Sequence, residues 1–319
     1  MPKDIFGKRR VIDGALGTEL EELIDPNETF LPSKSPLWSG QALIDAPQVV
    51  KAVHKEYMKA GADIVLTSTY QSSYQSLKKH TEMTNEQIHE LWQRAIDIVK
   101  ESRSELGKTD SVFIAGSIGP YAAYLADGSE YTGKYSNISL SKVLREFYQP
   151  LLEFFVNNDD IDLIIFETIP NFHEFQIANE LASEYSDKKP FVVSFTCQNN
   201  HSLTDGTALS TMRKYLTETT ASKTTSKVLG LNCVDYEVAL SIIDQFPEFK
   251  FFVYPNLGFQ YDATCHQFII KKGRPEDAWD QFIRKLVSYR NVIGIGGCCN
   301  TGTKEIKFVR SILDEDTIE

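Results

Sequence analysis

At 319 residues the chain has room for one large domain or two ordinary ones, and α/β barrels reach this size as a single unit. Hydrophobic residues at 42% supply a substantial core, and 24% charged residues is ordinary for a soluble chain. A net charge of −11 argues against nucleic acid or an anionic membrane surface as partner, since both select basic patches.

The first ten residues, Met1-Pro-Lys-Asp-Ile-Phe-Gly-Lys-Arg-Arg10, contain no apolar signal core, and no apolar stretch has the length to cross a bilayer. Five cysteines is an odd number, and two of them are neighbours unsuited to an ordinary disulfide framework. The thiols are therefore read as free or metal-bound in a reducing, cytoplasmic compartment.

Eight short apolar runs alternate with segments of helical period. The first, Val11-Ile-Asp13, leads into the longest irregular stretch, roughly 24–46, which contains Pro26, Pro32, Pro36 and Trp38. Asp45-Ala-Pro47 reads as the cap and first turn of a helix with Val50, Val53, Tyr57 and Ala60 on one face and Gly61 as its stop. The run Asp63-Ile-Val-Leu-Thr67 precedes a stripe of Ile88, Leu91, Ala95 and Ile98. After Val112-Phe-Ile-Ala-Gly116 come a second irregular stretch, Asp127-Gly-Ser-Glu-Tyr-Thr-Gly133, and the stripe Leu140, Val143, Phe147, Leu151 and Phe154.

The remaining runs are Asp162-Leu-Ile-Ile-Phe166, Phe191-Val-Val-Ser-Phe195, Val228-Leu-Gly-Leu231, Phe251-Phe-Val-Tyr254 and Val292-Ile-Gly-Ile295. Helices are expected after them at 172–186, 205–219, 235–246, 275–290 and 303–315, with Asp205-Gly-Thr207 capping the second of these and the polar segment 219–227 as an exposed connection. The runs are continuous rather than alternating, as parallel strands buried on both faces require. Eight strand–helix units predict a single-domain (β/α)₈ barrel over residues 1–319; a doubly wound sheet is the alternative, because alternation alone does not prove closure.

Chemistry-bearing residues sit where these strands end. Cys298 and Cys299 close the eighth run, and Cys233, 65 positions earlier, closes the sixth. Three thiolates from two strand ends can hold one soft, Lewis-acidic metal and leave a coordination position open. The competing reading is that these are inert buried cysteines, among the most buried of residue types. Cys197, at the end of the fifth run, and Cys265, beside His266, are alternative ligands. Gly296 and Gly297 are expected to let the backbone bend tightly before the vicinal pair.

Asp13 and Glu167 end the first and fourth runs, a position that in a barrel is more often functional than structural, with helix capping or a salt bridge as the plainer alternative. Gly14 is expected to allow close approach of a ligand. The aromatic residues Trp38, Tyr70, Tyr121, Tyr124 and Tyr131 fall in the same loops, where ring faces can stabilise an onium cation.

At these residues the chain resembles the homocysteine S-methyltransferases. The likeness is carried by Asp13-Gly-Ala-Leu-Gly-Thr-Glu-Leu-Glu21, Gly116-Ser-Ile-Gly-Pro120, Glu130-Tyr-Thr-Gly133, Phe166-Glu-Thr-Ile-Pro170, Gly230-Leu-Asn-Cys233 and Gly296-Gly-Cys-Cys299, over about residues 11 to 310. Ala15 stands where the family often has a second glycine. The resemblance implies a (β/α)₈ barrel with Zn²⁺ on Cys233, Cys298 and Cys299. It also implies that Asp13, Gly14 and Glu167 hold the amino-acid end of homocysteine, with Trp38, Tyr70 and Tyr131 as further substrate-binding candidates.

The expected reaction is methyl transfer from a sulfonium donor to homocysteine, giving methionine. The chain ends soon after the barrel, without room for a folate or cobalamin module, and Phe166-Glu-Thr-Ile-Pro-Asn-Phe-His-Glu174 looks like the S-methylmethionine branch, with S-adenosylmethionine the other donor considered. A betaine-dependent methyltransferase, a zinc-holding or redox-sensing barrel, and a metal-free lyase using Glu167 and Asp13 are the alternatives.

Overall fold

The branched and aromatic runs do form strands, because each offers a β-compatible side chain to both the barrel interior and the surrounding helices. In a computed structural model, which describes residues 4–24, 31–135, 140–221, 228–262, 267–270 and 275–316, eight of them form one parallel sheet. They are Arg10–Val11, Ile64–Leu66, Phe113–Ile118, Leu163–Ile169, Phe191–Phe195, Val228–Asp235, Lys250–Asn256 and Val292–Ile295, referred to below as the first to eighth barrel strands. The first pairs with the eighth through Arg10 to Gly294 and Val11 to Ile295. It meets the second through an Ile12–Ile64 bridge, with Asp13 N donating to Ile64 O at 3.0 Å and Asp63 N to Val11 O at 2.8 Å. The ring therefore closes, and the architecture is a (β/α)₈ barrel rather than a doubly wound sheet.

Strand parity divides the apolar residues into two layers. Val11, Val65, Ile114, Ile164, Val193, Leu229 and Val253 point outward into the larger cluster shared with the helices. Ile12, Ile64, Phe113, Leu163, Val192, Val228 and Phe252 fill the interior, capped from below by Ile5 and Phe6, whose ring meets Phe252 at 5.8 Å. Two or four residues further along, the same inward parity carries Ser117, Glu167, Ser194, Asn232 and Tyr254, all buried. The barrel interior thus changes from apolar to polar at its C-terminal end.

The helical stripes bury as expected, with Ile88, Leu91, Ala95 and Ile98 inside the helix Asn85–Glu105. Three local expectations are corrected. Asp45 is the last residue of a short helix, Ser39–Asp45, and the next helix, Pro47–Ala60, starts from Ala46 without a side-chain cap; proline at the first position already removes one orphan donor. Asp205 does not cap its own helix, which begins at Leu209; it accepts from Phe172 N at 2.7 Å and from Thr207 N at 2.8 Å, serving the helix Phe172–Glu184 and a local turn. An antiparallel hairpin, Phe259–Asp262 with Gln267–Ile270, follows the seventh barrel strand where no strand was expected. The predicted connection 219–227 lies mostly outside the described residues, as does Cys265. No helix among the described residues is long and apolar enough to cross a membrane.

On the helix Pro47–Ala60, His54 is 1% exposed and neither ring nitrogen has a hydrogen-bond partner. Burial pushes its pKa from 6.5 down to about 4. The unfolded chain gains this proton near pH 6.5 and the folded chain only near pH 4. The contribution to stability is therefore complete above pH 6.5 and is lost as pH falls, by roughly 3 kcal/mol at pH 4. Urea unfolding at pH 7 and pH 4.5 should register the decline, and His54→Leu should lessen it; an unaltered pH response in that variant would assign the acid sensitivity elsewhere.

Candidate active site and metal centre

Cys233 lies on the sixth barrel strand, where pairing with the seventh shifts register between Asn232 and Asp235. Its φ of +54° is left-handed, unusual for a residue with a side chain, and such irregularities re-aim side chains at strand ends. Cys298 and Cys299 follow the eighth strand. Their loop is held by Cys298 N donating to Pro255 O at 2.8 Å, Leu257 N to Cys299 O at 3.1 Å and Gly297 N to Asp13 O at 3.1 Å. The preceding glycines are required by space, not by φ: a Cβ on Gly296 would lie 2.7 Å from Ile12 Cβ, and one on Gly297 would lie 2.1 Å from Thr301 Oγ1.

Together these features bring the three sulfurs within 4.8 Å of one another. Cys233 and Cys299 are 4.0 Å apart and Cys298 and Cys299 are 3.9 Å apart. Tetrahedral coordination with bonds of about 2.3 Å separates sulfurs by about 3.8 Å, so the donor set fits a zinc-sized ion. The cluster is also electrostatically coupled. Hydrogen bonds from the other two thiols hold the Cys299 thiol well below its usual range. Cys233 and Cys298 are pushed up, since three adjoining sulfurs in a low-dielectric mouth resist further ionisation. Cys197 is not part of this cluster; it pairs with Leu203 in a local bridge, and burial raises its thiol.

Glu167 occupies the corresponding irregularity on the fourth strand, where register shifts between Phe166 and Ile169 and Thr168 adopts φ +56°. For a β-branched residue that conformation is strained, and Asn232 holds it in place. Thr168 N donates to Asn232 Oδ1 at 3.0 Å, Asn232 Nδ2 donates to Thr168 Oγ1 at 2.7 Å, and Ser194 Oγ donates to Asn232 Oδ1 at 2.6 Å. A single buried amide thus joins the backbone beside Cys233 to that beside Glu167.

The Glu167 carboxylate accepts from Ser117 Oγ. Burial nevertheless raises its pKa to about 7, because a lone hydroxyl replaces little of the lost hydration. Asp13 accepts from Leu66 N at 2.9 Å and is pushed up by burial and by the charge of Glu167. A Cβ on Gly14 would lie 2.8 Å from both Thr301 O and the Tyr57 ring, so protein packing already gives a reason for glycine there.

The aromatic candidates separate. Tyr121 and Tyr124 are committed to each other and to Phe147, with centroids 5.4 and 5.2 Å from Tyr121. Trp38 is 41% exposed and Tyr131 is 78% exposed. Tyr70 does reach the site: its hydroxyl donates to Glu130 Oε1 at 3.0 Å, and it interacts with Thr168 and Cys233.

Two residues passed over in the sequence complete the mouth. Glu130, beside the exposed Tyr131, is raised by burial and by the charge of Cys299. Tyr254 has a buried hydroxyl without a hydrogen-bond partner and interacts electrostatically with Glu167, Cys298 and Asp13. Tyr254 was visible as the fourth residue of the seventh apolar run, where inward parity marks it; Glu130 was visible only as a charge within a motif.

Comparison with known proteins now bears on this geometry. The model of the family described as homocysteine S-methyltransferase matches residues 10–313. Homocysteine S-methyltransferase 1 of Saccharomyces cerevisiae is 32% identical over 97% of this chain and 95% of its own length. Homocysteine S-methyltransferase 2 of Zea mays is 31% identical over 98% and 92% respectively. Among solved structures, the metallated form of the homocysteine methyltransferase MmuM from Escherichia coli matches with a TM-score of 0.75 at 26% identity, covering 95% of this chain and 96% of that one. Since the matched span runs from the first barrel strand into the last helix, the chain belongs to the homocysteine S-methyltransferase family, a class of methyltransferase enzymes.

Proposed function

We propose that the chain transfers a methyl group from a sulfonium donor, S-methylmethionine or S-adenosylmethionine, to the thiol of homocysteine, with Zn²⁺ held by Cys233, Cys298 and Cys299. The observation that carries this reading is the convergence of three sulfurs within 4.8 Å at a mouth whose carboxylates have no cationic partner among the described residues. Three thiolates suit a borderline-soft dication, and three protein ligands leave a fourth position open, as catalytic rather than structural zinc sites do. When bound, zinc supplies the Lewis acidity that keeps a substrate thiol deprotonated at neutral pH. The metallated form of the Escherichia coli relative supports a metal in this family. Thiols kept free of disulfides suit a cytoplasmic setting.

The chain's own residues bind and aim. Glu167 supplies the counter-charge for the ammonium of homocysteine. Burial raises its pKa to about 7, and an ammonium beside it would favour the ionised form. Asp13 and Gly14 border the same end of the substrate, and the Tyr254 hydroxyl offers it an unspent hydrogen bond. Trp38 and Tyr131, on the two long loops, are assigned the outer wall of the donor site.

Transfer is a direct displacement. The homocysteine sulfur forms a bond to the methyl carbon as the donor's carbon–sulfur bond breaks, and that electron pair returns to the donor sulfur, which leaves as a neutral thioether. Charge is lost rather than created, so alignment carries the rate more than stabilisation of a developing anion.

Cys233→Ala should lower bound zinc from about one ion per chain to none and reduce methionine formation at least a hundredfold, with circular dichroism unchanged. Normal turnover in that variant would refute the ligand assignment. Glu167→Gln should keep its zinc and raise the homocysteine KM at least tenfold; an unchanged KM would remove the ammonium role. Asn232→Ala leaves the Thr168 amide and Ser194 hydroxyl without their acceptor, and urea unfolding should reveal a loss of about 2–3 kcal/mol. Separate assays with S-methylmethionine, S-adenosylmethionine and betaine should yield methionine from a sulfonium donor; turnover with betaine alone would reverse the donor assignment.

A further inference from the structure

We propose that Glu130 recognises the positive charge of the methyl donor and so restricts the enzyme to onium donors. The proposal rests on the sulfonium reading above and extends it to a named side chain.

A charge inventory of the mouth leads to this residue. Asp13, Glu167 and Glu130 are all buried or half-buried, and among the described residues no Lys, Arg or His contributes to the electrostatics of any of them. Two metal charges shared among three thiolates leave the sulfur cluster with no positive charge to spare. Homocysteine brings one cation, its ammonium, and the pair formed by Asp13 and Glu167 is the place for it, since those two carboxylates interact with each other. Glu130 belongs to a different wall. It sits on the turn Ser129–Thr132, after the third strand, and its charged neighbours are Cys299 and Asp127. With the ammonium paired, Glu130 is still an uncompensated carboxylate beside the sulfurs, and the remaining cation in the reaction is the donor.

The carboxylate is also held in position. Tyr70 donates to it at 3.0 Å while interacting with Thr168 and Cys233, which ties Glu130 to the sulfur cluster and not merely to its own loop. Each flank of the loop is anchored on the helix Phe172–Glu184 and its cap. Asn171 Nδ2 donates to Gly133 O at 2.9 Å, and the fully buried Glu174 accepts from Tyr121 N at 2.6 Å and from the Tyr135 hydroxyl. A preorganised charge of this kind binds a counter-charge without first having to order itself. An aromatic cage is not available as an alternative from Tyr121 and Tyr124, which pack on Phe147.

The chemistry determines which constant responds. The donor is cationic when it binds, loses its charge during transfer and departs as a neutral thioether. A fixed carboxylate therefore favours the bound donor over the transition state, so removing it should weaken donor binding and leave kcat nearly intact.

The test compares wild type, Glu130→Gln and Tyr70→Phe as zinc-loaded full-length protein, by donor saturation of methionine formation and by calorimetric binding of S-methylmethionine. Glu130→Gln should raise the donor KM and the calorimetric Kd at least tenfold, with kcat within threefold and homocysteine KM, zinc content and Tm unchanged. Tyr70→Phe should shift both donor constants in the same direction by a smaller factor. Trimethylsulfonium as a competing ligand separates the two sources of positive charge. An equal loss of its binding assigns Glu130 to the sulfonium centre as proposed, whereas a loss confined to S-methylmethionine places the carboxylate on that donor's ammonium and overturns the selection for onium donors. Donor affinity within twofold of wild type in folded, zinc-loaded Glu130→Gln overturns the proposal. Should that variant lose zinc or melt early, Tyr70→Phe, which removes the hydrogen bond that positions the carboxylate, decides: wild-type donor affinity in folded, zinc-loaded Tyr70→Phe overturns the proposal equally. A wild-type enzyme that makes no methionine from any sulfonium donor removes the underlying reading, and this role with it.

Discussion

Negative charge gathered in a low-dielectric mouth, with no cation supplied by the described residues, is the constraint on which the site depends. Three sulfurs lie within 4.8 Å of one another, and Asp13, Glu167 and Glu130 at the same mouth have no basic partner among the described residues. Charges this close cannot all ionise in an apolar surround, so one thiol takes the first negative charge while its neighbours and the carboxyls are held protonated to higher pH. Each cation that enters relieves part of that penalty. In the proposed reaction, metal, ammonium and onium charge would be three successive answers to one electrostatic problem, with affinity drawn from the repulsion they remove as much as from new contacts.

The barrel creates this mouth through parity and two irregularities. Inward residues are apolar for the first turns of the strands and polar at the last, which places Ser117, Glu167, Ser194, Asn232 and Tyr254 on one rim. A regular strand continued past Phe166 or Asn232 would alternate faces; instead the register shifts there, and Thr168 and Cys233 take positive φ. Conformations of that kind cost of order 1–3 kcal/mol each and persist only when neighbours fix them. Asn232 does this for Thr168 through two hydrogen bonds, and Thr196 Oγ1 donates to Cys233 O at 3.1 Å. The backbone beside Cys233 and that beside Glu167 therefore share one amide, that of Asn232.

The strands were legible because burial on both faces leaves a continuous apolar run, a signal that survives in the sequence without any knowledge of neighbours. Helix faces were legible for the same reason, at a period of 3.6. Capping was less so: Asp45 and Asp205 look like N-caps locally, but the proline at position 47 and the amide of Phe172 decide what they do. In the site, the cysteines could be read because strand ends are visible and three thiols converging on a rim have few structural uses. The positions of Thr168 and Cys233 in left-handed conformations could not, since neither residue type announces it. Glu130 was not singled out because only its neighbour Tyr131 carried a ring; the turn points the glutamate toward Tyr70 and Cys299, while Tyr131 is exposed.

Backbone strain concentrates at the end of the barrel where the sulfurs converge. Beside the two positive-φ residues, the Tyr254 hydroxyl and Asn256 Oδ1, both at inward parity on the seventh strand, are buried without a hydrogen bond of ordinary geometry, as are atoms of His54, Asn179 and Trp279 elsewhere. The opposite end is closed by Ile5 and Phe6 against Phe252. An orphaned buried polar atom costs on the order of 1–3 kcal/mol, which a hydrogen-bonding ligand would offset. Ligands that engage these groups bind the folded state alone and shift its stability by mass action. The well-packed lower layer is what makes this division workable: it keeps the strands in register while the upper layer holds the unfavourable charges and conformations that the proposed substrate and metal would complete.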